Sequence, residues 1–245
     1  MIDEVTFLYL LVFGVTMVAS VMQTSAGFGY AMICMSVWPL FMPYRTATVI
    51  EVLTVFFVSL TVMIRLRKSI RLKLLMWPVI STVLLLPLGL FAMMSSVDSL
   101  MRRLLGILMI ILAIYFIFLG EKVKIKPNPR NGLIAGAISG FIAGMFGIGG
   151  PPMALYCLAA TENKQEYNGT LQAYFVLMAS YHAILHLLWG NITLTALRLS
   201  AVGLAGMALG SAIGFAIFKK ISVAQYSKVV YGFMIIFGAF LIING

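Results

Sequence analysis

Glu51 lies in TATVIEVLTVFF, a run with no other charged residue. A carboxylate inside an apolar segment is costly in hydrocarbon and is a functional candidate by default. Taken out of water, it can hold a proton, which makes Glu51 the candidate carrier for proton-coupled movement of another solute. The alternative is a carboxylate near a helix end that hydrogen-bonds neighbouring backbone. His182 and His186 stand four apart and share one helix face. That spacing suits two metal ligands, but no convincing third ligand is nearby in sequence. They read as pathway-lining or packing side chains, and no metal is expected. Arg45 stands just before an apolar helix, where it either attracts anions at a mouth or is solvated at the helix end.

Two glycine-rich stretches carry a different chemistry. GMFGIGGPPM (144–153) and QTSAGFG (23–29) both interrupt strongly apolar sequence. Glycine and proline are poor helix formers. Broken backbone at membrane depth is tolerated only where protein or a water-lined cavity satisfies it. A new helix beginning at Pro151–Pro152 uses proline where its missing N–H is harmless. The free N–H groups and the dipole of such a helix favour an anion, and glycine lets a ligand approach the backbone. The candidate binding residues are Gln23, Thr24, Ser25, Gly27 and Gly29 from the first break. The second supplies Gly147, Gly149, Gly150 and Pro151. Asn168 and Gln172 share a face at the start of the following helix and would add neutral donors to an oxyanion. The competing explanation is close helix packing by glycine and kinking by proline.

The elements that must position these residues are membrane helices. The 245 residues are 62% hydrophobic and 10% charged, with mean hydropathy +1.07. Apolar runs such as LLMWPVISTVLLLPLGLFAMM (74–94) recur, each able to cross about 30 Å of hydrocarbon at about 1.5 Å per residue. The expected fold is an all-α polytopic membrane protein of about eight transmembrane helices plus broken or re-entrant segments. Helices are expected over 5–23, 30–42, 46–64, 73–95 and 99–119. After a polar connection come 131–146, 152–160, 168–189, 195–218 and 223–243. The start, MIDEV, has no basic region or cleavage site of a signal peptide. Cys34 and Cys157 sit in apolar segments and read as buried small hydrophobes. The net charge of +10 gathers in short loops, where positive-inside bias and anionic lipid account for it without nucleic acid. Trp38, Trp77 and Trp189 are expected as interfacial anchors.

The pattern occurs twice. SVDSLMRRLLGILMIILA (96–113) aligns on SVAQYSKVVYGFMIIFGA (222–239), and AGFGYAM (26–32) on FGIGGPPM (146–153). Gly27 falls on Gly147, Gly29 on Gly149 and, after a one-residue shift, Glu51 on Gln172. We divide the chain into a first repeat (1–120), a cytoplasmic linker (121–130) and a second repeat (131–245). The basic loop RLRKSIRLK (65–73) sets the cytoplasmic side. If each broken pair enters and leaves on one side, both termini fall outside, Lys219 and Lys220 fall inside, and the halves are inverted. Inverted-topology repeats are a mark of secondary transporters.

GFGYAM and GIGGPPM, one in each half of a small helical membrane protein, resemble the sulfite exporter TauE/SafE family. The resemblance covers essentially the whole chain, with the GxGG-P element its most specific part. It implies a carrier for sulfite, sulfonates or other small sulfur-containing anions. The expected function is a secondary transporter in the cytoplasmic (inner) membrane, working by alternating access, with proton coupling at Glu51. Its partners would be a small anionic substrate and the lipid bilayer, with a homodimer left open. No cofactor and no nucleic acid are expected, and no GxxxxGK[ST] motif for ATP hydrolysis is present. The alternatives are a channel-like anion pathway and, well behind it, an intramembrane serine enzyme pairing Ser25 with His182, without a GxSxG elbow.

Overall fold

The apolar runs form helices whose outward face is apolar and whose buried face carries polar groups, the arrangement expected in lipid. A computed structural model describes residues 3–118, 126–218 and 223–245. Within these the chain forms α1 (Glu4–Ala26), α2 (Tyr30–Val37), α3 (Tyr44–Arg65), α4 (Met76–Met94) and α5 (Asp98–Phe118). It continues with α6 (Pro129–Phe146), α7 (Gly150–Ala160), α8 (Lys164–Leu188), α9 (Leu194–Ile217) and α10 (Val223–Asn244). Six of them, α1, α3, α4, α5, α8 and α9, are long and apolar enough to cross a membrane. On α4, Leu84, Leu88 and Phe91 are exposed while Ser81 and Thr82 are buried. On α5, Ile107, Ile111 and Ile114 repeat the exposed spacing. Gln23, Glu51, Asn168, Gln172, His182 and His186 are all buried. This multi-pass membrane protein therefore keeps its polar chemistry inside.

Small residues let two helix pairs approach to backbone contact. Helix α6 packs on α4, where a Cβ on Gly136 would lie 2.1 Å from the Pro78 carbonyl oxygen and one on Gly144 2.2 Å from that of Leu86. Helix α9 packs on α1, where the same construction on Gly206 and Gly210 meets the carbonyls of Phe13 and Met17 at 2.3 and 2.1 Å. In both pairs the contacts advance in the same chain direction, so the partners run parallel. Helix α3 packs on α8, and α5 on α10.

In each broken pair the second helix folds back beside the first. The rings of Phe7, near the start of α1, and Phe41, after α2, lie 5.7 Å apart edge to face. A Cβ on Gly132, near the start of α6, would lie 3.1 Å from the Tyr156 hydroxyl on α7. One end of the molecule holds the basic loop, where Arg71 pairs with Glu166 at 2.7 Å and donates its N–H to Thr170 Oγ1 at 3.0 Å. The carboxylate of Glu166 raises the pKa of Arg71. At the same end Lys164 Nζ donates to the Phe218 carbonyl at 2.6 Å. At the other end the Tyr44 N–H donates to Asp98 Oδ2 at 2.9 Å.

Several expected boundaries move, each for a local reason. Gln23, Thr24 and Ser25, expected in the break, are helical: α1 runs to Ala26 and ends on Gly27, which turns left-handed at φ +92°. Pro151 and Pro152 lie in the first turn of α7 as expected, and the helix starts at Gly150, two residues before the expected 152. Helix α8 starts at Lys164, since Asn163 caps it by accepting from the N–H groups of Gln165 and Glu166. Helix α2 gives way to a 3-10 turn over Trp38–Leu40 at Pro39. Trp38 is no interfacial anchor: it is fully buried in the core. Trp77 is half-buried and Trp189 is exposed. Cys34 and Cys157 are free and buried. Residues 121–125 of the linker, Lys219 and Lys220 lie outside the described residues.

Candidate functional site

The first break is a three-residue turn closed by amide side chains. The Gly27 N–H donates to the Gln23 carbonyl at 2.9 Å and ends α1. Gly29, at φ +109°, starts α2, and its carbonyl accepts the Ile33 N–H at 3.1 Å. The first N–H of a helix has no intrahelical partner; here the Tyr30 N–H donates to Gln23 Oε1 at 3.3 Å. Gln23 Nε2 donates to Gln172 Oε1 at 3.0 Å and to Ser59 Oγ at 3.4 Å. Gln172 Nε2 donates to the Gly27 carbonyl at 2.7 Å and to Asn168 Oδ1 at 3.0 Å. Asn168 Nδ2 donates to the Thr24 carbonyl at 3.4 Å. The structure thus gathers Gln23, Gly27, Asn168 and Gln172 into one network. Thr24 Oγ1 is buried with no hydrogen-bond partner among the described residues. Ser25 Oγ donates back to the Val21 carbonyl at 2.5 Å, and no hydrogen bond joins it to His182 among the described residues.

The second break ends its first helix in the same way but enters the next one differently, and its side chains differ. The Gly147 N–H donates to the Ala143 carbonyl at 2.8 Å and ends α6 with φ +74°. Gly149 stands before α7 at φ −97°. Prolines 151 and 152 remove two of the first four N–H groups of α7. No described N–H reaches the Gly149 carbonyl; it accepts Ser139 Oγ instead, at 2.5 Å. Glu51 Oε2 lies 3.2 Å from where a Cβ on Gly147 would stand. Glu51 is 2% exposed, and no described group donates a hydrogen bond to its carboxylate. Tyr30 is fully buried, and its hydroxyl has no partner among the described residues.

The two breaks touch. A Cβ on Gly150 would sit 3.8 Å from Phe28 Cβ, in the first break, and 3.5 Å from Phe175 Cζ. The side chains cross over: Gln172, from the second half of the chain, fills the first break, and Glu51, from the first half, faces the second. Pro151 is buried beside this seam.

The other candidates stand towards the end away from the basic loop. The rings of His182 and His186 stack with centroids 4.6 Å apart. His186 Nδ1 lies 3.1 Å from Asn191 Nδ2, and the Nε2 atoms of both histidines are buried without partners among the described residues. His182 is one turn beyond Met178, whose Sδ would meet a Cβ on Gly149 at 2.9 Å. Arg45 is exposed and donates to the Met94 carbonyl at 3.3 Å. Among the described residues no three His, Cys, Asp or Glu side chains are grouped to hold a metal.

Sequence reading missed Thr82, Ser139 and Tyr174, a buried hydroxyl chain that ends on the second break. The only signal was a hydroxyl on each of three different apolar helices, and nothing in the chain order links them.

Both breaks, Glu51 and Gln172 fall within a wider likeness. The model of the family described as sulfite exporter TauE/SafE matches residues 12–241. No curated protein and no solved structure matches the chain. The matched stretch leaves only short ends uncovered, so the chain belongs to the sulfite exporter TauE/SafE family, a family of membrane transporters of sulfur-containing anions.

Proposed function

We propose that this chain is a secondary transporter of a small sulfur oxyanion, sulfite or a sulfonate, working by alternating access between two inverted halves. The observation that carries the reading is the seam where the two breaks meet, with Gln172 and Glu51 each serving the break of the opposite half. The packing supports the inversion. The first helix of each half lies parallel on the fourth helix of the other, α1 on α9 and α6 on α4. The third helices pack together, as do the fifth. The basic-loop end faces the cytoplasm and both termini face outward across the inner membrane.

In this reading the oxyanion binds between the breaks. The amide network of Gln23, Gln172 and Asn168 holds the turn at Gly27 in place, so that α2 presents its N-terminus to the anion. Glu51 sets the coupling. A charged carboxylate beside Gly147 repels an incoming anion, so anion and proton enter together. Arg45 recruits the anion at the outer mouth, with His182 and His186 lining the way in. The test is sulfite-dependent flux into proteoliposomes, with sulfonate, thiosulfate, sulfate and chloride as competitors, with and without a pH gradient. Saturable flux, competed by sulfur anions and driven by the gradient, is the expected result. Flux that no sulfur anion competes removes the substrate class, and flux indifferent to the gradient removes the coupling.

A further inference from the structure

Three buried hydroxyls tie the second break to the helices around it, and they hold one proton too few. Thr82 Oγ1, on α4, contacts the Gly136 carbonyl at 2.9 Å and the Tyr174 hydroxyl, on α8, at 2.6 Å. Tyr174 contacts Ser139 Oγ, on α6, at 2.8 Å, and Ser139 contacts the Gly149 carbonyl at 2.5 Å. That makes four contacts in a line, with a carbonyl acceptor at each end. Each hydroxyl carries one proton, so three protons serve four contacts and one contact is always an oxygen pair without a proton. All three side chains are at most 3% exposed, so the deficit is not repaired by bulk solvent. Among the described residues the first break has no such chain: the Gly29 carbonyl accepts a backbone N–H from its own helix.

We infer that Tyr174 is a positioning residue that keeps the second break reversible. When the Gly149 carbonyl moves away from Ser139, three contacts remain for three protons. Ser139 then donates to Tyr174, Tyr174 to Thr82 and Thr82 to the Gly136 carbonyl. Opening the break therefore loses no hydrogen bond within the chain. Removing the Tyr174 hydroxyl reverses this. Thr82 then serves Gly136 alone, Ser139 serves Gly149 alone, and opening breaks a fully formed hydrogen bond. That opening forms part of transport rests on the reading proposed above; the proton count does not.

The experiment is hydrogen–deuterium exchange of the 146–156 segment in the full chain in lipid nanodiscs. Tyr174→Phe and Thr82→Val should each slow exchange about fivefold, the weight of one net hydrogen bond, and Ser139→Ala should speed it. A chain that only packs predicts one direction for all three, because each variant would loosen the core. Faster or unchanged exchange in folded Tyr174→Phe and Thr82→Val overturns the inference. In sulfite flux, Tyr174→Phe should lower the maximal rate and leave the half-saturating concentration unchanged. Slowed exchange with unchanged flux upholds the hydroxyl chain and overturns the placing of the transport step at this break.

Discussion

The two breaks share a backbone plan and differ in what satisfies it. Each ends its first helix on a left-handed glycine, Gly27 or Gly147, whose N–H closes back four residues. At the first, three side-chain amides meet nearly every hydrogen-bonding need, and each proton of the Gln23 and Gln172 amides has an acceptor. At the second, the facing side chain is a carboxylate with no described donor, and the carbonyl before α7 hangs on a single hydroxyl. A satisfied neutral network resists rearrangement, whereas a partly satisfied one leaves its members free to change partner. One break is thus built as a fixed frame, and the other as the place where charge and geometry change.

The largest effect should come from giving the first break the chemistry of the second. Gln172→Glu removes two donated hydrogen bonds and sets a carboxylate against the Gly27 carbonyl and Asn168 Oδ1. The expected loss of stability is about 3 kcal/mol or more, read as a lower thermal midpoint in detergent. A midpoint unchanged from the parent protein would mean that the network is not the frame described here. The converse exchange, Glu51→Gln, should leave the fold intact, because nothing described donates to the carboxylate. It should remove the dependence of flux on a pH gradient and lower flux at least tenfold, since an amide cannot titrate. Retained gradient dependence would move the coupling group elsewhere.

Much of this contrast was legible in the sequence, and the unread part has a physical cause. The breaks announced themselves because glycine and proline in apolar sequence have few uses, and Gly27, Gly29, Gly147 and Gly149 stand at the turns. Glu51 was visible because an isolated carboxylate in such a run must have a reason. The edges of the breaks were not legible. Thr24 and Ser25 look like loop residues, yet a helix continues until something stops it, and only Gly27 does. Nor was the division of labour legible. Gln23 and Gln172 are 149 positions apart, and nothing local to either says that one amide completes the other. Trp38 failed for the same reason: its place depends on α2 folding back into the core, which is tertiary information.

A smaller effect separates binding from packing. The helix interfaces and the seam both use glycine, but they differ in the room left for a methyl group. Gly210→Ala would push a Cβ to 2.1 Å from a backbone oxygen of α1. It should cost about 2 kcal/mol or more, visible as a lower thermal midpoint, because neither backbone can yield cheaply. Gly150→Ala would meet only ordinary contacts at 3.5 and 3.8 Å. Because Pro151 follows, a Cβ at position 150 also meets the proline ring, which cancels alanine's usual helical advantage over glycine. The thermal midpoint should stay closer to the parent's than that of Gly210→Ala while sulfite flux falls several-fold, because the added methyl lies between the two breaks. A variant that is both stable and fully active would mean that the seam is a packing surface and that the anion passes elsewhere.

The smallest effect concerns a residue that stands beside the first break without joining it. The Ser25 hydroxyl donates within its own helix turn and contributes nothing to the amide network. Ser25→Ala should therefore cost about 1 kcal/mol or less and leave sulfite flux within about twofold of the parent. The neighbouring Gln23→Ala removes the acceptor for the Tyr30 N–H and a donor to Gln172, and it should lower flux by an order of magnitude or more. The two positions lie two residues apart on the same last turn, so a general disturbance of the turn would depress both alike. A gap between them would show that the first break acts through a particular set of donors rather than through its shape. Equal losses would assign its role to the backbone turn at Gly27 alone.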